Sequence, residues 1–209
     1  AANGVDTTKP FNHGSVPDTT IRSNAAARSL RARTHCFQRS AGLLCNGIEG
    51  GHPMPEILGA IRDFLAQKNI AVAGVSRSGQ SAANAIYKKL RDAGYHVFAV
   101  NPSTPSVEGE TCYPDLKSIP EKVDAVMAAT SPKGTEDIVR QCAELGIGRV
   151  WMHQSFKIMG TSVSDSALRY CAEHGITVIP GGCPMMFCEP VDPAHKCARW
   201  FLRVTQGFP

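Results

Sequence analysis

The chain has no stretch of 18 or more apolar residues, so no membrane-spanning helix is expected. It has no CxxC pair among its eight cysteines, which removes the commonest thiol-redox and zinc spacings. A core of this size needs no disulfide framework, so reduced thiols in a reducing compartment are expected. A basic stripe is also missing. The net charge of +4 sits mostly at the front: residues 1–53 carry six Lys/Arg against three Asp/Glu, and residues 54–209 carry sixteen against fifteen. A nearly neutral main part lacks the electrostatic footprint of a nucleic-acid binder, so neither nucleic acid nor membrane is expected as a partner. No internal repeat is present.

What is present is enough for one domain and an extension. The 209 residues are 43% hydrophobic, which suits an ordinary core. Residues 1–53 are rich in Ser, Ala, Arg, Gly and Asn, with little periodicity, and are expected to be disordered. Arg22 to Arg39 holds five arginines and no acid, as a mitochondrial or plastid transit peptide does. Plain upstream sequence is the other reading, because Met54 makes a natural beginning. The expected location is therefore cytoplasmic, or organellar if the extension is a genuine transit peptide. The expected domain is 54–209.

Hydrophobic periodicity places the elements of that domain. Ile57, Ile61, Phe64 and Leu65 recur at i, i+4, i+7 and i+8, one apolar face of a helix over 55–67. A strand is expected at 70–75, a helix at 80–93 and a strand at 95–100. The stretch NPSTPSVEGETCYPDL that follows is read as a loop too rich in Pro and Gly for regular structure. Strands at 123–129, 149–152 and 176–179 alternate with helices at 135–145 and 163–174, with Ser162 or Ser164 as a cap of the latter. Leu168, Cys171 and Ala172 would face the sheet. Arg199 to Leu202 reads as a final packed helix. Strands alternating with helices imply an α/β fold, a three-layer Rossmann-like parallel sheet with helices on both faces. Ligands in such sheets bind beyond the carboxyl ends of the strands, here 74–79, 101–104, 130–133 and 153–156.

The turn after the first strand, GVSRSGQS at 74–81, is the richest motif. It comes close to a P-loop, but Gln80 stands where the lysine belongs, so ATP or GTP hydrolysis is not expected of it. It lacks the G-x-G-x-x-G spacing as well. Small residues that open a helix suit a phosphate on the helix N-terminus, and they equally suit a tight packing turn. Arg77 either meets that phosphate from the rim or is a solvated charge. Asn101-Pro102 ends the second strand where an NAD-binding domain usually places an acid for the ribose hydroxyls. Pro102 is either a wall beside an adenosine or a stop to strand pairing. Ser131 caps a helix, meets a ligand, or does both, and Pro132 suits the first helical turn.

Three further groups invite stronger readings. His153, at the end of a strand, is an acid–base candidate with no neighbouring carboxylate in sequence, or a polar lining residue. Cys183, Cys188, His195 and Cys197 match no standard zinc spacing, so no metal is expected. Cys183 is either a reactive thiol able to pair with a thiol ligand or a buried core cysteine.

Taken together, FLAQKNIAVAGVSRSG, GYHVFAVNP, GETCYPDL, VDAVMAATSP, VWMHQS and GGCP resemble the small CoA-binding domain proteins. These are similar to the N-terminal CoA-binding domain of the succinyl-CoA synthetase α subunit and of ADP-forming acyl-CoA synthetases. The resemblance covers about 64–184. It implies a Rossmann-like fold that binds CoA or an acyl-CoA. Carried over residue by residue, Gly74, Ser76, Arg77 and Ser81 would meet phosphate, and Asn101, Pro102, Ser131 and Pro132 would flank adenosine. No catalytic residue is implied. The synthetases use a phosphorylated histidine from a second domain, for which there is no room after residue 184. The expectation is a CoA or acyl-CoA binding protein with no reaction of its own. Two alternatives stay open: an NAD(P)-binding oxidoreductase or redox sensor, and a CoA-binding subunit of a synthetase. A homo-oligomer or a synthetase partner fits either binding reading.

Overall fold

The computed structural model describes residues 54–154 and 160–206. The expectations placed on 1–53, on Ser155 and on Phe156 lie outside them. The elements run α1 Met54–Leu65, β1 Asn69–Ala73, α2 Ala82–Asp92, β2 His96–Val100, β3 Ser106–Val107, β4 Glu110–Tyr113 and β5 Ala125–Ala128. There follow α3 Pro132–Leu145, β6 Arg149–Met152, α4 Asp165–Glu173, β7 Thr177–Pro180, a 3-10 turn Pro184–Met186 and α5 Pro193–Gln206.

Side chains alternate along each strand, so a strand buried on both faces feeds two cores. Ile70 and Val72 of β1 point to one face, with Ile61 and Phe64 of α1 and Ile86 and Leu90 of α2. Ala71 and Ala73 point to the other, with Ile138 and Val139 of α3 and Ala167 and Cys171 of α4. The result is the expected three-layer arrangement. Each buried Ile or Leu contributes roughly 1.5–3 kcal/mol to holding the layers together. Trp151 of β6 is fully buried, meets Phe64 edge-on at 5.4 Å, and donates its indole N–H to Gly181 O at 2.7 Å.

The sheet order is β3-β4-β2-β1-β5-β6-β7. Every pairing is parallel except β3 with β4. That hairpin corrects the loop expected after β2. Its two-residue turn, Glu108-Gly109, has φ of 53° and 82°, the left-handed pair that a tight hairpin turn requires. Val107 and Cys112 bury against the core, and β4 extends the sheet beside β2. With only two residues in β3, no periodicity was there to read.

Smaller corrections follow local chemistry. Helix α3 starts at Pro132, three residues earlier than expected, because proline at the first position has no N–H to satisfy. In α4, Ala167 and Cys171 face the sheet, Leu168 is half-buried and Ala172 is exposed. Ser164, not Ser162, caps that helix. The final helix is longer than expected, and only Leu202 of the 199–202 cluster is buried; Trp200 and Phe201 are exposed. No helix among the described residues is long and apolar enough to cross a membrane.

Candidate functional site

From β1 the chain crosses to β2 on one side and later to β5 on the other, so the strand order switches between β1 and β5. The carboxyl ends of those two strands approach closely at Gly74. A Cβ there would lie 2.3 Å from Ala129 O, and φ is +100°, so only glycine fits. The divergence of the connecting loops above this contact opens a cleft of about 450 Å³. Such a crevice is where open α/β sheets bind their ligands.

Two helices begin at the cleft. At α2, Ser81 caps the helix: its Oγ accepts from Asn84 N–H at 3.2 Å, and Ala85 N–H reaches Ser81 O. The N–H groups of Ala82 and Ala83 line the first turn with no acceptor among the described residues, as helix ends leave them. At α3, Ser131 Oγ accepts from Gly134 N–H at 3.2 Å, Thr135 N–H reaches Ser131 O, and Pro132 has no N–H. That leaves Lys133 N–H open in the same way. Both N-termini carry partial positive charge. Among the described residues no Asp, Glu, Lys or Arg lines the cleft; the polar side chains there are the hydroxyls of Ser81, Thr130, Ser131, Thr161 and Ser162, and His153.

His153 ends β6 and is buried. Burial pushes its imidazole below the usual histidine range, which keeps it neutral near pH 7. Its carbonyl accepts from Ser162 N–H at 2.8 Å, and Ser162 Oγ donates to Thr130 O at 2.7 Å. The 160–162 segment is thus pinned across the ends of β5 and β6. Its place in the cleft lining is compatible with the polar-lining reading.

The residues expected from sequence fall into three groups. Ser81, Ser131 and Pro132 line the cleft. Gly74 abuts Ala129 and Thr130, which line it. Ser76, Arg77, Asn101 and Pro102 sit on the surrounding loops, outside that lining. Arg77 and Pro102 are exposed. Asn101 serves the protein itself: its side-chain N–H donates to Val75 O, and its Oδ1 accepts from Ser103 N–H at 2.7 Å. It ties the end of β2 to the loop after β1.

Cys183 is packed in the core, and burial pushes its thiol up from an ordinary 9.0 to about 11. A thiol so placed is protonated and shielded, which favours the buried-cysteine reading over a reactive one. Among the described residues the six cysteines are free thiols, and no group of three His, Cys, Asp or Glu has a metal-binding arrangement.

Sequence reading missed Asn84 and Glu108. Asn84 is completely buried and bonds to both ends of the loop after β1. Its signal was an asparagine in the first turn of a helix otherwise made of alanines there. Glu108 was hidden because its hairpin was not foreseen.

The signature of the CoA binding domain matches residues 68–189, a stretch that contains both helix ends and the cleft. The chain belongs to the CoA binding domain family. Among curated members, it is 29% identical over 125 residues to the ADP-forming acetate–CoA ligase II of Archaeoglobus fulgidus. That match covers 56% of this chain and only 18% of the ligase. The uncharacterized protein YneT of Bacillus subtilis is 27% identical over 124 residues, covering 59% of this chain and 87% of YneT. Among solved structures, a hypothetical protein from Pyrococcus horikoshii superimposes with a TM-score of 0.59 at 29% identity. It covers 69% of this chain and 99% of its own length. The CoA binding domain of this chain is therefore similar both to a small part of large ligases and to nearly whole small proteins.

Proposed function

We propose that this chain binds CoA or an acyl-CoA in the cleft at the carboxyl ends of β1 and β5, without a reaction of its own. The observation that carries the reading is the meeting of two helix N-termini on one cleft in a CoA binding domain. The open N–H groups of Ala82 and Ala83, and that of Lys133 one residue past the lining at Pro132, offer a pyrophosphate what water would otherwise supply. In this reading Gly74, Ser76, Arg77 and Ser81 form the phosphate side. Asn101, Pro102, Ser131 and Pro132 form the adenosine side, with Asn101 acting through the loop it holds. The pantetheine arm runs toward His153 and Ser162.

NAD fits less well. Both ends of the Asn101 carboxamide are engaged by backbone, so that position offers no acid to a ribose diol. A second reading has one specific support: the acetate–CoA ligases include a region like this one within a much longer chain. A CoA-carrying subunit of a synthetase would then act with a partner that supplies the remaining chemistry.

The test is isothermal titration of the full chain with CoA, acetyl-CoA, NAD and NADP. Saturable heat with the CoA species, and none with NAD or NADP, is the expected result. Binding of NAD or NADP alone would overturn the reading and turn attention to hydride transfer. If CoA binds only after a synthetase partner is added, the subunit reading takes over.

A further inference from the structure

Asn84 is the polar centre of the site, although it faces no ligand space. It lies in the first turn of α2 with no exposed surface. A carboxamide has two N–H donors and two acceptor lone pairs, and here all four are used. Its Oδ1 accepts from Ser76 N–H at 2.8 Å and from Ser81 Oγ–H at 2.5 Å. Its Nδ2 donates to Ser76 O at 2.9 Å and to Glu108 Oε1 at 3.3 Å. Ser76 is thus held at both its backbone groups by one side chain, as a neighbouring strand would hold it. The last contact crosses to the turn between β3 and β4, where Glu108 also pairs with Lys88 at 3.4 Å.

We infer that Asn84 is the positioning residue of the CoA site, fixing the loop 76–81 in its ligand-ready shape and coupling it to the β3–β4 turn. The inference rests on the proposed CoA reading for its ligand, and on the hydrogen bonds alone for the loop. No other common side chain fills this role. Aspartate keeps the two acceptors and loses both donors, setting a carboxylate against Ser76 O and the Glu108 carboxylate. Leucine loses all four contacts. A buried amide is an expensive way to fill a helix core position unless each bond is made. What the four bonds secure is a loop that needs no reordering when a phosphate arrives, which is where preorganisation raises affinity.

The test uses the full chain and three variants, Asn84→Asp, Glu108→Gln and the two combined, with CoA affinity measured where each is fully folded. Asn84→Asp is expected to bind CoA about 10- to 100-fold more weakly, the span of one or two lost hydrogen bonds. Glu108→Gln alone is expected to weaken binding no more than about threefold, because its amide oxygen still accepts from Asn84 while only the part-exposed pairing with Lys88 is lost. In the double variant the glutamine amide can donate to the new carboxylate, and about a tenfold part of the loss should return. A residue that only stabilised the fold would leave the affinity of folded protein unmoved. Folded Asn84→Asp binding within twofold of wild type overturns the proposal.

Amide hydrogen exchange on the ligand-free wild type separates the two claims. Slow exchange at Ser76 N–H, against fast exchange at Arg77 and Gln80, supports the anchoring role even if CoA fails to bind. Ser76 exchanging as fast as its exposed neighbours overturns the role, and this reading holds even if Asn84→Asp does not fold.

Discussion

The two helix ends that meet at the cleft look alike in sequence and are held by different means. The α3 end is local. Ser131 caps it, Pro132 starts it, and the Thr135 hydroxyl bonds Thr130 Oγ1 at 3.0 Å and Ser131 O at 3.2 Å. Every partner of the cap itself lies within 130–135; from further off, among the described residues, only the Ser162 hydroxyl reaches this end, at Thr130 O. The α2 end is held from a distance. Its loop hangs on Asn84, eight residues beyond Ser76, and Asn84 leans in turn on Glu108, 24 residues further on. Asn101 adds a bond to Val75 O from the end of β2. A locally held end forms with its own helix. An end held at a distance is complete only when the edge hairpin is in place, so defects in the hairpin are felt at the loop after β1.

Gly74 is where the two ends touch, and breaking that contact should have the largest effect. Gly74→Ala sets a Cβ 2.3 Å from Ala129 O and 2.8 Å from its carbonyl carbon, both backbone atoms that have no rotamer to change. It does so at a φ of +100°, which a side chain resists. A loss of about 3 kcal/mol or more is expected in a urea titration, at the large end for single substitutions. A midpoint equal to wild type would mean that the ends of β1 and β5 separate without strain, and the cleft would lose its floor.

The two capping serines sharpen the comparison at an intermediate scale. Ser131→Ala removes one local acceptor and should cost about 1 kcal/mol, as an ordinary N-cap does. Ser81→Ala removes the same kind of cap and also the hydroxyl that donates to Asn84 Oδ1, leaving a buried acceptor one bond short. About 2 kcal/mol is expected there. The Ser81 variant should also raise amide exchange at Ser76, while the Ser131 variant should leave the α2 loop as it was. Equal losses at both serines would show that the long-range network adds nothing to its cap.

The same local-against-distant difference decides what could be read in the chain. The α3 end was legible in part: Ser131 was read as a cap or a ligand contact and Pro132 as suited to the first turn, and Ser131 does cap, but the helix was expected only from 135. The β1 strand and α2 were legible because an apolar run, a small-residue turn and a helical period lie side by side. The resemblance to CoA-binding domains rested on the same stretches, and the family match at 68–189 agrees with it. What could not be read was the partner of a side chain across the sheet. Asn101 looked like a ligand contact because of its place at a strand end, yet its amide is spent on Val75 and Ser103. Asn84 looked like filler in a helix and is the most heavily bonded polar side chain of the site. The β3–β4 hairpin fell below the length at which alternation means anything, and Glu108 went with it. Residue type and period report what a segment does with its neighbours. They are silent on pairings made 24 residues apart.

Each helix end also offers one exposed cation, Arg77 on the α2 loop and Lys133 in the first turn of α3. Neither side chain has an ion-pair or hydrogen-bond partner among the described residues, so removing either should shift stability by no more than about 0.5 kcal/mol. Their effects on CoA should differ in kind. Arg77 sits on the loop that Asn84 bonds, and in the proposed reading it belongs to the phosphate side, where a planar guanidinium can pair with a phosphate through two N–H groups. Lys133 carries a flexible ammonium on an exposed side chain. Arg77→Ala is expected to weaken CoA binding about three- to tenfold in low salt, with the difference fading as ionic strength rises. Lys133→Ala should change it less than twofold, because in the proposed reading that residue contributes its backbone N–H, which alanine keeps. The check is a titration of both variants at low and high salt. A larger effect at Lys133 than at Arg77 would place the phosphates on the locally built end, and the loop after β1 would then serve the fold rather than the ligand.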